Sequence, residues 1–161
     1  MSAVRRPVRI GVLGTGAVSQ IVHMPILTDR PDVEVVAVSD ADQPKARALA
    51  GRFGVARRVS DEEPLEGDLV DGVVISTPNH LHENQAMAAL KAGKHVLVER
   101  PLAFTERGVN RLLRAAGKSS KVLMVGMSHR WTQPCSPRSS RAASSGRSTT
   151  CAAAGSTGSC T

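Results

Sequence analysis

The chain has 161 residues, enough for one domain with a sizeable core. Hydrophobic residues make up 41% of it but aromatics only 2% (Phe53, Phe104, Trp131 and no Tyr), so the core must be built from Val, Leu, Ile, Ala and Met. The net charge of +7 is unevenly placed: residues 1–106 hold 12 basic and all 14 acidic residues, a net of −2, whereas residues 107–161 hold nine basic residues and no acid.

No aromatic platform, zinc-ligand spacing or groove-reading motif accompanies those basic residues, which argues against a nucleic-acid partner. No apolar run approaches a membrane span, so no membrane partner is expected. Arg5 and Arg6 lead straight into a strand-like run and not into a signal peptide, which makes the expected location cytoplasmic. The three cysteines, Cys135, Cys151 and Cys160, match neither a zinc site nor a CxxC redox motif.

In chain order, residues 8–13 form a short apolar run suited to a buried parallel strand. Gly14-Thr15-Gly16 breaks it, and residues 17–27 resume with apolar side chains at helical spacing. Strand, glycine turn and helix open a dinucleotide-binding βαβ unit. Gly14 permits the tight turn, Gly16 lets the backbone approach a pyrophosphate, and the helix N-terminus offers N–H groups and a positive dipole end. The third glycine of the usual fingerprint falls on Ser19, which with Ala17 is small enough for close helix–strand packing.

A glycine turn alone is weak evidence, so the next strand is the test. Residues 33–39 read as that strand, and Asp40 follows, 24 residues beyond Gly16. A carboxylate there can accept hydrogen bonds from both hydroxyls of an adenosine ribose and repels a 2′-phosphate, which favours NAD over NADP.

Residues 43–53 have helix-forming composition, with Pro44 in the first turn and Gly51 near the end. Residues 55–59 suggest a short strand, and a polar connection runs from Ser60 to Asp71. Residues 72–76 form another buried-strand run, stopped by Thr77-Pro78-Asn79. A helix over 80–90 follows, with Gly93 as a left-handed cap. Residues 95–98 form the next strand, ending in Glu99-Arg100-Pro101. Thr105 caps a helix to about Ala116, and 121–125 form the last clear strand.

Strands that alternate with helices and are apolar on both faces predict an α/β fold, a doubly wound parallel sheet. Every polar or glycine-rich segment of interest follows a strand, so these segments converge on one sheet edge, where such folds bind ligands. Two other patterns carry no site. Gly117-Lys118-Ser119 lacks the first glycine of a phosphate loop, which would fall on Leu112, and it ends a helix. His80, His82 and His95 lie on different elements without a carboxylate or cysteine at ligand spacing, so no metal is expected.

Taken together, these residues resemble the Gfo/Idh/MocA oxidoreductases over about residues 7–131. The likeness rests on Gly14-Thr15-Gly16, on Ser76-Thr-Pro-Asn-His-Leu-His82 with Ala86, Ala89 and Leu90 behind it, on Gly93-Lys-His-Val-Leu-Val-Glu-Arg-Pro101, and on Val125-Gly-Met-Ser-His-Arg130. The resemblance implies a Rossmann domain that binds NAD(P). Gly14, Thr15, Gly16 and Ala17 would wrap the pyrophosphate and Asp40 would hold the adenosine ribose. Thr77, Pro78, Asn79 and His82 would line the cofactor groove, and Glu99 would sit by the nicotinamide ribose. The implied chemistry is hydride transfer on a sugar or polyol, and the alternative is a non-catalytic NAD-binding module.

Two departures qualify that likeness. The family's Glu-Lys-Pro lysine, placed near nicotinamide and substrate, corresponds here to Arg100, a candidate catalytic residue whose guanidinium cannot give up a proton. Family members also continue into a second domain that supplies most of the substrate pocket and the catalytic histidine. Residues 132–161 contain no Leu, Ile, Val, Met or Phe, and cannot offset their ordering entropy by burial. They are expected to be a disordered tail behind a dinucleotide-binding domain at 1–131, so a small-molecule substrate would require a second domain from elsewhere, and turnover by this chain alone is not expected.

The change follows abruptly on His129 and Arg130, which suggests an out-of-frame tail. GC-rich codons for residues 141–150, read two nucleotides later, can spell Arg-Gly-Glu-Leu-Gly-Pro-Leu-Asp-His, and a Gly-Glu-Leu-Gly turn is a family tendency at that point.

Overall fold

The computed structural model describes residues 6–59 and 67–127, with only the backbone of Arg58. The expectations for the 60–66 part of the polar connection, for residues 128–131 and for the 132–161 tail fall outside the described residues.

Six parallel strands form one sheet in the order β3-β2-β1-β4-β5-β6. They are β1 (Val8–Leu13), β2 (Val33–Ser39), β3 (Arg57–Val59), β4 (Gly72–Ile75), β5 (His95–Glu99) and β6 (Leu123–Gly126). The crossovers carry α1 (Met24–Thr28), α2 (Gln43–Phe53), α3 (His82–Lys91) and α4 (Glu106–Lys118). The order reverses direction between β1 and β4, which makes the carboxyl ends of those two strands the topological switch point.

Strand periodicity explains the two-sided core. Leu13, Val73 and Ile75 pack on one face with Val96, Val98, Ala86, Ala89, Leu90 and Leu112, under α3 and α4. Val12, Val38 and Val74, one residue out of phase, pack on the other with Met24, Leu49, Ala50 and Val55, under α1 and α2. β4 is buried at all four positions, as a central parallel strand must be.

The ends of the helices refine the sequence reading. Asp42 caps α2, its side chain accepting from the Lys45 N–H at 3.2 Å, and Thr105 caps α4 by accepting from the Gly108 N–H at 3.0 Å. Gly51 is interior to α2, and the left-handed cap is Gly54, at φ +69°. Gly93 caps α3 as expected, with its N–H bonded to the Leu90 carbonyl at 3.1 Å.

The first helix is not regular. Residues 19–23 form a π turn, closed by the Met24 N–H on the Ser19 carbonyl, before α1 begins. The wider turn lets Ser19 and Met24, five residues apart, both be fully buried, while Val18, Ile21 and Val22 face outward.

A candidate dinucleotide site at the carboxyl edge of the sheet

Strand register assembles the site. Leu13 pairs with Ser39 on one side and with Ile75 on the other, and Ile75 pairs with Val98. Gly14, Asp40, Ser76 and Glu99, each one residue further along, therefore emerge in a single row. With strands about 4.8 Å apart, the ends of β2 and β5 lie roughly 14 Å apart across the row, a span suited to an extended dinucleotide.

The turn after β1 is held by polar bonds. Gly14 has φ +92°, and a Cβ there would lie 2.7 Å from the Ser76 carbonyl group and the Thr77 nitrogen, so only glycine fits. Its N–H donates to the Ser39 carbonyl at 2.8 Å, tying the turn to the end of β2. Its carbonyl accepts from the Ser19 hydroxyl at 2.6 Å, and the Ser76 hydroxyl oxygen lies 3.1 Å from it. The two hydroxyls are also bonded to each other. Ser19 therefore does more than leave room for helix packing: it fastens the helix to the glycine turn and to the end of β4.

Asp40 clamps the same turn from the other side. Its Oδ2 accepts from both the N–H and the hydroxyl of Thr15, each at 2.7 Å, and its Oδ1 accepts from the Asp42 N–H at 2.8 Å. Partial burial works against ionisation. The Thr15 hydroxyl, the Asp42 and Thr15 N–H groups and the nearby Lys45 outweigh it, and the carboxyl is held below its ordinary value. The Gln20 amide donates to the Thr15 carbonyl at 2.8 Å. Thr15 is thus fully buried and turned toward Asp40. Gly16 and Ala17 are exposed, and a Cβ on Gly16 would meet nothing within 4 Å. That open space at a helix N-terminus is where a pyrophosphate can approach.

Across the switch point, the Thr77 hydroxyl donates to Gln85 Oε1 at 2.5 Å, and Pro78 and Asn79 are exposed in and before a short 3-10 turn. His82 is only 1% exposed. It lies beneath the groove and does not line its surface: Nε2 is 2.8 Å from the Thr77 carbonyl oxygen and Nδ1 2.8 Å from that of Pro101. The ring bridges the loops after β4 and β5, and a neutral imidazole donates to one of them at a time.

Glu99 ends β5, with Oε1 2.9 Å from His23 Nε2. Arg100 is exposed, its guanidinium touches no partner among the described residues, and the Arg100–Pro101 peptide is cis. His23, Ser19 as a donor, Gln20 and Gln85 were not legible as site residues. Gln20 and Gln85 bond within their own strand-to-helix connections, to the Thr15 carbonyl and the Thr77 hydroxyl, by contacts that no motif marks, whereas Ser19 and His23 also reach Ser76 and Glu99 at the ends of other strands.

Among the described residues, no group of three His, Cys, Asp or Glu could hold a metal ion. No described helix is long and apolar enough to cross a membrane.

A parallel sheet with a glycine turn after its first strand, a carboxylate after its second and the switch point between them defines a Rossmann-type dinucleotide-binding domain. Residues 8–127 match the oxidoreductase family with an NAD-binding Rossmann fold, Gfo/Idh/MocA, and the chain belongs to that family. It is 40% identical over 129 residues to inositol 2-dehydrogenase 1 of Saccharopolyspora erythraea, covering 77% of this chain and 38% of that protein. It is 35% identical over 126 residues to D-glucoside 3-dehydrogenase of Escherichia coli, covering 78% of this chain and 36% of the relative. Among solved structures, a 3-ketoreductase from Actinomadura kijaniata in complex with NADP superposes with a TM-score of 0.71 at 33% identity, over 74% of this chain and 38% of that one. The chain thus spans little more than a third of the length of these relatives.

Proposed function

We propose that the carboxyl edge of this sheet binds NAD in preference to NADP, as the nucleotide-binding part of an oxidoreductase acting on a sugar or polyol. The observation that carries the cofactor preference is Asp40. Its carboxylate is kept ionised at the end of β2, where an adenosine ribose would lie, and a 2′-phosphate there would meet like charge at close range. The relatives that act on inositol and on a D-glucoside support the substrate class.

When bound, the nicotinamide would supply the hydride acceptor or donor. This chain's residues would bind and orient it: Gly16 and Ala17 at the pyrophosphate, Asp40 at the adenosine ribose, Thr77, Pro78 and Asn79 along the groove, and Glu99 at the second ribose. Thr15 and His82 support these from below. Arg100, exposed and with no partner for its guanidinium among the described residues, keeps a positive charge at the position of the family's lysine, but it cannot pass on a proton. Its presence favours a second reading, in which the chain binds cofactor without turning it over.

Calorimetric titration with NADH and with NADPH tests the cofactor reading. NADH should bind at least about tenfold more tightly, and Asp40→Ala should weaken NADH and erase the difference, because one charge-assisted hydrogen-bonding group is worth about 1.5–3 kcal/mol. Equal affinities in the unaltered chain would refute the preference for NAD.

A further inference from the structure

The glycine-turn helix carries, at the last position of its π turn, a side chain that reaches the other half of the site. His23 closes the π turn, and its Nε2 lies 2.9 Å from Oε1 of Glu99, although the two are 76 residues apart. A carboxylate only accepts, so Nε2 carries the proton and donates. The two side chains are 12% and 22% exposed, sheltered enough for the bond to hold and open enough for the carboxylate to be reached.

A third element confines the carboxylate. Glu99 and Gly126 are register partners at the ends of β5 and β6, and a Cβ on Gly126 would stand 2.9 Å from the Glu99 carboxyl carbon. The glycine therefore leaves the space in which the carboxyl lies. With Oε1 bonded to His23, Oε2 has only the Arg100 N–H at 3.4 Å among the described residues, and so remains available to a ligand hydroxyl.

We infer that His23 is a positioning residue for the nicotinamide half of the cofactor, fixing the Glu99 carboxylate over Gly126 so that Oε2 can accept from the second ribose. This rests on the reading of the carboxyl edge as a dinucleotide site. The π turn is what makes the reach possible. Ser19 is anchored on the Gly14 carbonyl and Met24 is buried in the core, and the widened turn between them delivers His23 toward β5. One helix thereby serves the phosphates at its start and the second ribose from its π turn.

The test compares two probes on the full 161-residue chain. ADP reaches only the Asp40 and glycine-turn half, whereas NADH also reaches Glu99. His23→Ala should weaken NADH about tenfold and leave ADP within about twofold. His23→Gln, whose amide can donate to the same oxygen, should recover most of the NADH affinity. In a Glu99→Ala background, His23→Ala should cost nothing further, since the effect runs through the carboxylate.

Equal loss of ADP and NADH would make His23 a merely structural residue and overturn the inference, as would unchanged NADH binding or additive effects in the double variant. If the unaltered chain bound neither ADP nor NADH, the dinucleotide reading itself would fail and this inference with it. ADP binding in the His23→Ala chain also reports that the variant has folded.

Discussion

The two edges of the sheet use carboxylates in opposite ways. At the amino edge, both oxygens of Asp71 are occupied by arginines: Oδ1 by Arg6 at 3.1 Å and Arg9 at 3.0 Å, Oδ2 by the Arg9 N–H at 2.9 Å and its Nε at 3.3 Å. These bonds, led by the Arg9 side chain, hold the Asp71 carboxyl far below the usual range. At the carboxyl edge, Asp40 and Glu99 are held by neutral or single donors and keep acceptor capacity. A cavity of about 370 Å³ opens at the amino edge, beside Arg6, Asp71 and Lys94, but the buried Lys94 is already bonded to the Gly67 carbonyl. Space alone does not mark the ligand site here. What marks it is a row of side chains whose hydrogen-bonding capacity is directed but not exhausted.

The largest effect should come from the two glycines of the turn, which differ in kind. Gly14→Ala combines a left-handed backbone with a Cβ 2.7 Å from backbone atoms of Ser76 and Thr77, and should cost about 3 kcal/mol or more in denaturant unfolding. Gly16→Ala meets nothing within 4 Å and should leave stability within about 0.5 kcal/mol. It should nonetheless weaken NADH by more than about tenfold, because its methyl enters the space left for the pyrophosphate. If both variants lost stability equally, the distinction between a folding glycine and a binding glycine would collapse.

A smaller effect should separate the edges by pH. Asp71→Asn removes the charge from a pair that ties β1 to the start of β4, and should lower Tm by about 5 °C while NADH affinity stays within about twofold. Because the folded carboxyl titrates below its ordinary value of 3.8, its contribution is complete above that pH and is lost as the pH falls toward the folded value. The Tm gap between the two chains should therefore be widest near neutrality and close progressively below about pH 4. A gap that widened in acid would show that Asp71 does not act through its charge.

The same contrast explains how much was legible in the sequence. The strands, the glycine turn and Asp40 follow from apolar periodicity and from backbone conformations that few residues accept. Asp40 holding Thr15, across 25 residues, and Glu99 meeting His23, across 76, depend on which strands become neighbours, and no local pattern encodes that. His82 illustrates the limit: its motif placed it at the groove, but burial between two carbonyls makes it a strut beneath. The π turn was equally hidden, because residues 17–27 read as an ordinary amphipathic helix and only the demand to bury both Ser19 and Met24 widens it.

The smallest effect is predicted at Arg100. It lies at the carboxyl edge beside Glu99, yet its guanidinium has no partner among the described residues, so no described contact depends on its shape. Arg100→Lys should leave Tm within about 2 °C, as for other exposed substitutions. If the position contributes only positive charge to the bound cofactor, NADH affinity should also stay within about twofold, since lysine supplies the same charge. A change larger than that would mean that the planar fork of the arginine itself contacts the ligand. Arg100 would then belong with Asp40 and Glu99 among the directed groups of this edge, and it would no longer be a cation awaiting a partner.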